Sequence, residues 1–154
     1  MIDRRTLLGA VLAAIPAAAC SRPARVTELI VYKSPHCGCC SAWVQKMKAA
    51  ALPVKVFETE LVSDMATKLK VPENLRGCHT AEIDGYFIEG HVPAADIRKL
   101  LRERPKARGL AVPGMPIGSP GMEQGNRKDA FETLIVGRDG SVGIFARHNQ
   151  AAIR

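Results

Sequence analysis

Apolar positions along the chain change period as it proceeds. Val26–Tyr32 ("VTELIVY") is apolar and β-branched, as expected of a buried strand. Ser34 and Pro35 are helix-start residues. Cys40, Trp43, Val44, Met47 and Ala51 then recur at i, i+3, i+4, i+7 and i+11, one apolar helical stripe that Pro53 ends. "VKVFE" (Val54–Glu58) predicts a second strand, and Ser63 is the expected cap of a short helix to Lys70. After Pro72, "CHTAEID" and "YFIEGHV" flank Asp84-Gly85, a hairpin pattern. Pro93 opens a helix through Ile97, Leu100 and Leu101, which Pro105 stops. "FETLIVG" and "SVGIFAR" around Asp139-Gly140 predict a closing hairpin.

This order predicts an α/β fold: a thioredoxin-like βαβαββα core, a Gly/Pro/Met loop and a C-terminal β-hairpin. In that layout the junction of the first strand and first helix forms the active site. Here the junction carries "SPHCGCCSAW", residues 34–43, with three cysteines within four positions. A sulfur at a helix N-terminus faces free N–H groups and the positive end of the dipole, so its thiolate is favoured. The turn into the third strand lies against such a site and usually carries a cis-proline; this chain has Cys78 and His79 there instead. Side chains alternate along a strand, so Cys78 is expected to face the site and His79 to point away unless a bulge intervenes. The spacing itself permits a redox pair with a spare thiol, a metal-thiolate site or a disulfide framework. Cys37 and Cys40 form a Cys-x-x-Cys pair, whereas adjacent Cys39 and Cys40 cannot bridge without strain, so stapling by all four is not expected.

The first twenty residues change the picture of where the protein works. Arg4 and Arg5 precede a nine-residue apolar run, Leu7–Ile15, and Ala17–Cys20 supplies small residues for cleavage. The pattern predicts a signal peptide over residues 1–20, too short to span a bilayer, for twin-arginine or ordinary secretory export. Lipid attachment at Cys20 is the alternative ending, and the only membrane contact expected besides the signal. Without residues 1–19 the chain keeps 135 residues, and losing Arg4, Arg5 and Asp3 lowers the formal charge from +7 to +6. With 5% aromatics and no recognition motif, nucleic acid is not an expected partner. The basic run Arg98–Arg108 is expected to be a solvated helix face, with weak attraction to anionic lipid as the other reading.

Gly109–Gly125 ("GLAVPGMPIGSPGMEQG") is a 17-residue Gly/Pro segment in which "PGM" occurs twice, and a loop of that length is usually functional or disordered. Met47 sits on the helical stripe and belongs to the core, whereas Met115 and Met122 lie on no periodic face. A thioether suits Cu(I); tucking the loop against the body would explain these two methionines equally. The candidate ligands are therefore Cys37, Cys39, Cys40, Cys78, His79, Met115 and Met122. An S₄ or S₃N set also satisfies Zn²⁺, but three sulfurs on one turn crowd a single tetrahedral ion and can instead bridge several low-coordinate Cu(I) ions. A thiol–disulfide oxidoreductase using Cys37 and Cys40 is the competing class.

"SPHCGCCSAW", "CHTAEIDGYFIEGHVP" and "GLAVPGMPIGSPGME", in that order, resemble the CopG-type periplasmic copper-resistance proteins, long called a domain of unknown function. The resemblance implies a thioredoxin-like copper-binding domain over residues 26–148, with copper held by Cys37, Cys39, Cys40 and Cys78, coupled to Cu(I)/Cu(II) exchange. It implies other envelope copper-handling proteins as partners. His36, His79, His91, Met115 and Met122 fall within the matching motifs, His36 and His91 being equally well explained as polar surface or hydrogen-bonding residues. His148 lies outside them and is expected to be incidental.

Overall fold

The computed structural model describes residues 27–150. The expected signal peptide (residues 1–20), Cys20 and Val26 lie outside the described residues.

The elements follow the predicted order. Strand β1 (Leu29–Lys33) leads into helix α1 (Gly38–Ala49), strand β2 (Val54–Glu58) and helix α2 (Val62–Lys68). A short 3₁₀ turn (Glu73–Leu75) precedes the hairpin of β3 (His79–Ile83) and β4 (Tyr86–Gly90), then helix α3 (Ala94–Glu103). Strands β5 (Ala107–Val112), β6 (Phe131–Gly137) and β7 (Val142–His148) complete one seven-stranded open sheet, ordered β2-β1-β3-β4-β5-β6-β7. β1 pairs parallel with β2 and β4 parallel with β5, each across a helix; the other neighbours are antiparallel. The four strands β2-β1-β3-β4 with their helices form the thioredoxin-like core.

Alternation along the strands builds two apolar layers. Trp43, Val44 and Met47 of α1 and Ile97 and Leu100 of α3 pack with Val31, Ala81, Ile83, Ile88 and Leu110. The strand neighbours Phe87, Ala111 and Val136 face the other way and pack with Ala66 of α2, Val71 and Leu75. Met47 is fully buried, as its place on the helical stripe predicts.

Three local expectations are corrected. Ala51 lies past the C-cap Ala50, at φ 54°, so the helical stripe ends at Met47. Ser63 sits inside α2; Leu61 occupies the cap position, and its own N–H donates to Thr59 Oγ1 at 3.0 Å. The expected loop from Gly109 begins only at Pro113, because Leu110, Ala111 and Val112 are fully buried in the strand running between β4 and β6. The Asp84-Gly85 turn is as expected: both residues have positive φ, 51° and 82°, as a two-residue hairpin turn requires.

Candidate metal centre

Ser34, Pro35 and His36 turn the chain from β1 into α1, whose N-cap is Cys37. Its sulfur accepts the Cys40 N–H at 3.3 Å, the capping contact expected of a polar side chain there. Helical geometry returns residue 40 to the same end of the helix, and Cys37 and Cys40 are joined in a disulfide with Cα atoms 5.3 Å apart. Cys39 and Cys78 are free thiols. Cys39 Sγ lies 3.5 Å from Cys37 Sγ and 3.8 Å from Cys78 Sγ. The Cys40 sulfur is 3.4 Å from the Cys78 carbonyl oxygen. Four cysteines from two distant stretches thus converge.

The imidazoles arrive from the hairpin. Cys78 precedes β3 and is free of its alternation, so His79 turns into the interior while its Nδ1 stays 3.5 Å from Cys78 Sγ. His79 packs on Trp43 with ring centroids 4.5 Å apart, and its Nε2 is buried without a hydrogen bond. His91 follows β4, and its Nε2 stands 3.6 Å from Cys78 Sγ. Its Nδ1 lies 2.9 Å from the Pro120 carbonyl oxygen, an acceptor only, so Nδ1 carries the proton and Nε2 offers a lone pair. The ligand atoms form two groups, Cys37/Cys39/Cys40/Cys78 and Cys78/His79/His91, with all atoms of a group within 4.8 Å of one another. Cys78 belongs to both.

Burial shapes the charges. Desolvation, aided by the neighbouring Cys39, pushes the Cys78 thiol up to about 12. Burial, with His91 beside it, lowers His79 to about 3, and burial likewise lowers His91. Both imidazoles are therefore neutral, the state in which a ring nitrogen can ligate a metal. Beneath Cys78, burial raises the Glu89 carboxyl to about 7 against the pull of its bonds to Gly77 N–H and Thr80. A cleft of about 310 Å³ lined by Ser34, Glu60, Ser63, Arg76, Cys78 and Thr80 opens on this side.

The arrangement suits a soft metal or thiol redox chemistry. Disulfide sulfurs are not thiolates, so the oxidised form offers Cys39, Cys78 and two imidazoles; two-electron reduction adds Cys37 and Cys40. The unpartnered His79 Nε2 and this soft donor set fit a thiophilic ion.

Of the predicted residues, the four cysteines and His79 come together. Met115 is 57% exposed, and Met122 is half-buried on the loop beside Gly121. His36 is in solvent, 3.9 Å from Glu60. His148 is tied instead to Asp96 Oδ2 at 2.8 Å and stacks on Phe131. His91, whose role the sequence left open between ligand and hydrogen-bonding residue, stands in the second group, and Glu89 was not singled out by the sequence. The signal for His91 was available: a two-residue turn at Asp84-Gly85 pairs Ile83 with Tyr86, and continuing that register sets position 78 opposite position 91.

The family described as "Protein of unknown function, DUF411" matches residues 75–122, the stretch from the turn before Cys78 to Met122. No curated protein matches the chain. Two solved structures described as copper resistance protein copG, in forms 2 and 1, are each 43% identical to it. They superpose with TM-scores of 0.76 and 0.75, covering 79% and 80% of this chain and 98% of theirs. With that identity over nearly their whole length, the chain belongs to the CopG-type copper-resistance family.

Proposed function

We propose that this chain is a periplasmic copper-binding protein of copper resistance, holding Cu(I) through Cys37, Cys39, Cys40 and Cys78 once the disulfide is reduced. His79 and His91 complete the donor set from the hairpin side, and Met115 and Met122 serve as outer thioether donors. The observation that carries this reading is the convergence of four sulfurs and two imidazoles on Cys78. Thiolates bridge low-coordinate Cu(I) readily, and their crowding on one helical turn favours Cu(I) over a single tetrahedral Zn²⁺. The solved relatives bear the name copper resistance protein. Residues 26–148 constitute the copper-binding domain, exported by residues 1–20 and exchanging copper with other envelope proteins. Among the described residues no helix is long and apolar enough to cross a membrane.

The Cys37–Cys40 disulfide supports a coupled redox step. Two Cu(II) ions each accept one electron from the Cys37/Cys40 dithiol, giving two Cu(I), one disulfide and two protons; the reverse oxidises Cu(I). The same disulfide favours the second reading, a thiol–disulfide oxidoreductase.

Anaerobic Cu(I) titration of the reduced chain, with metal analysis and thiol counting on one sample, separates them. Several copper ions per chain, shielding all four thiols from alkylation, is the expected result. No retained copper, together with disulfide-reductase turnover indifferent to Cys39→Ser, would establish the oxidoreductase instead.

A further inference from the structure

Glu89 is fully buried on β4, directly opposite Thr80 of β3. Strand alternation puts it on the α2 side of the sheet with Phe87, whereas Ile88 faces α1. It is thus not a member of the sulfur–imidazole groups. Burying a carboxyl is costly unless its oxygens are bonded, and each of them has one partner. Oε1 accepts the Gly77 N–H at 2.6 Å, and Oε2 accepts the Thr80 hydroxyl at 2.7 Å. Those partners are the residue just before Cys78 and the second residue after it.

We propose that Glu89 is the positioning residue for Cys78. Its carboxyl clamps the backbone on the near side of Cys78 and a side chain on the far side. The bend between them presents Sγ to Cys39 and His91, at 3.8 and 3.6 Å. The clamp is thus the pair of hydrogen bonds that fixes the chain on both sides of Cys78. Among the described residues the sulfur itself is otherwise met only through its contacts with Cys39, His79 and His91. The inference deepens the copper reading, since Cys78 matters most as the donor shared by both groups. Its first readout contains no copper, so the two fail separately.

The test uses the metal-free full chain with the Cys37–Cys40 disulfide intact. Alkylation rates at Cys39 and Cys78 are followed by peptide mapping in wild type, Glu89→Gln, Glu89→Leu and Thr80→Val. Glutamine carries no charge, accepts the Gly77 N–H through its oxygen and meets Thr80 with its NH2, which donates to the hydroxyl oxygen in a reversed bond; leucine removes both bonds; valine removes one. Losing buried hydrogen bonds favours local opening, so Glu89→Leu is expected to raise the Cys78:Cys39 rate ratio about tenfold. Thr80→Val should raise it less, and Glu89→Gln should leave it within about threefold of wild type. The clamp is overturned if Glu89→Gln and Glu89→Leu act alike, which would make charge the cause. It is equally overturned if both thiols accelerate together, which is general loosening, or if Glu89→Leu leaves the ratio within about threefold. Should Glu89→Leu fail to fold, an unchanged ratio in Thr80→Val overturns it. After reduction, Cu(I) titration adds a second readout: the Glu89→Leu, Cys78→Ser double variant should bind copper no worse than Cys78→Ser alone, and additive losses would refute the clamp. A wild-type chain that retains no copper ends the copper reading, while the alkylation ratio still judges the clamp.

Discussion

Cys78 and His91 meet across the open end of the β3–β4 hairpin, Sγ to Nε2 3.6 Å apart, though neither lies within a strand. Their contact ties the free thiol to the one imidazole of the site whose second nitrogen is held by a loop carbonyl, that of Pro120. The Gly/Pro segment therefore reaches the site through its backbone.

Replacing His91 by glutamine should weaken Cu(I) binding about ten- to a hundredfold while leaving the Cys37–Cys40 disulfide able to form. His36→Gln should leave binding unchanged, because that ring is 88% exposed and outside the cluster. Competition against a chromogenic Cu(I) chelator measures both. Equal affinities for His91→Gln and wild type would remove His91 from the donor set.

Gly121→Ala tests whether the loop matters. Gly121 has φ +85°, and an added Cβ would stand 2.6 Å from the Trp43 backbone nitrogen, so the loop cannot stay against α1. The left-handed backbone alone costs a non-glycine residue about 1–2 kcal/mol. Lifting the loop withdraws the Pro120 carbonyl and frees His91 to carry its proton on either nitrogen. A lowered unfolding midpoint is expected, with weaker copper binding and ¹⁵N imidazole shifts showing mixed tautomers. An unchanged Nδ1–H signal would mean the loop does not set the tautomer.

How much of this the sequence disclosed depended on whether the cause was local. The α1 stripe through Cys40, Trp43, Val44 and Met47 was legible because all four face one core. The Asp84-Gly85 turn likewise fixed a register, and that register implies the Cys78–His91 juxtaposition. Strand β5 was hidden, since "GLAV" opens a Gly/Pro-rich segment and its strand state comes from burial between β4 and β6. The Pro120 carbonyl on His91 was not readable, because it joins positions 29 apart through a loop without period. Glu89 was not singled out by the sequence, because its burial and its bonds to Gly77 and Thr80 depend on tertiary packing.

Opposed shifts at His79 and Glu89 give the metal-free protein a specific pH profile. Folded His79 loses its proton above about 3, while in the unfolded chain the imidazole holds it up to 6.5, so this residue makes stability rise with pH across that window. Folded Glu89 keeps its proton to about 7, while the unfolded carboxyl loses it at 4.5, so this residue makes stability fall as pH climbs between those values. Each slope is about 1.4 kcal/mol per pH unit at full strength, so the two largely cancel between pH 4.5 and 6.5. Glu89→Gln removes only the falling slope. Urea unfolding of both chains should show the stability of wild type relative to Glu89→Gln dropping by about 3 kcal/mol from pH 4.5 to 7. Parallel profiles would mean the carboxyl is not held neutral by burial.

Copper capacity should follow the Cys37–Cys40 bond. With the disulfide formed, the sulfurs left as thiolate donors in the cluster are those of Cys39 and Cys78. Reduction returns Cys37 and Cys40, whose sulfurs stand in the same group. With Cys39 and Cys78 reduced, the Cys37→Ser, Cys40→Ser double variant has the donor set of the oxidised wild type. It should also fold, since serine at position 37 keeps an N-cap acceptor for the Cys40 N–H, now the N–H of residue 40 in the variant. Anaerobic titrations of the three samples are expected to rank reduced wild type highest, with oxidised wild type and the double variant equal below it. If oxidised wild type binds as many Cu(I) ions as the reduced chain, Cys37 and Cys40 are redox partners only, and the copper is held by Cys39, Cys78 and the two imidazoles.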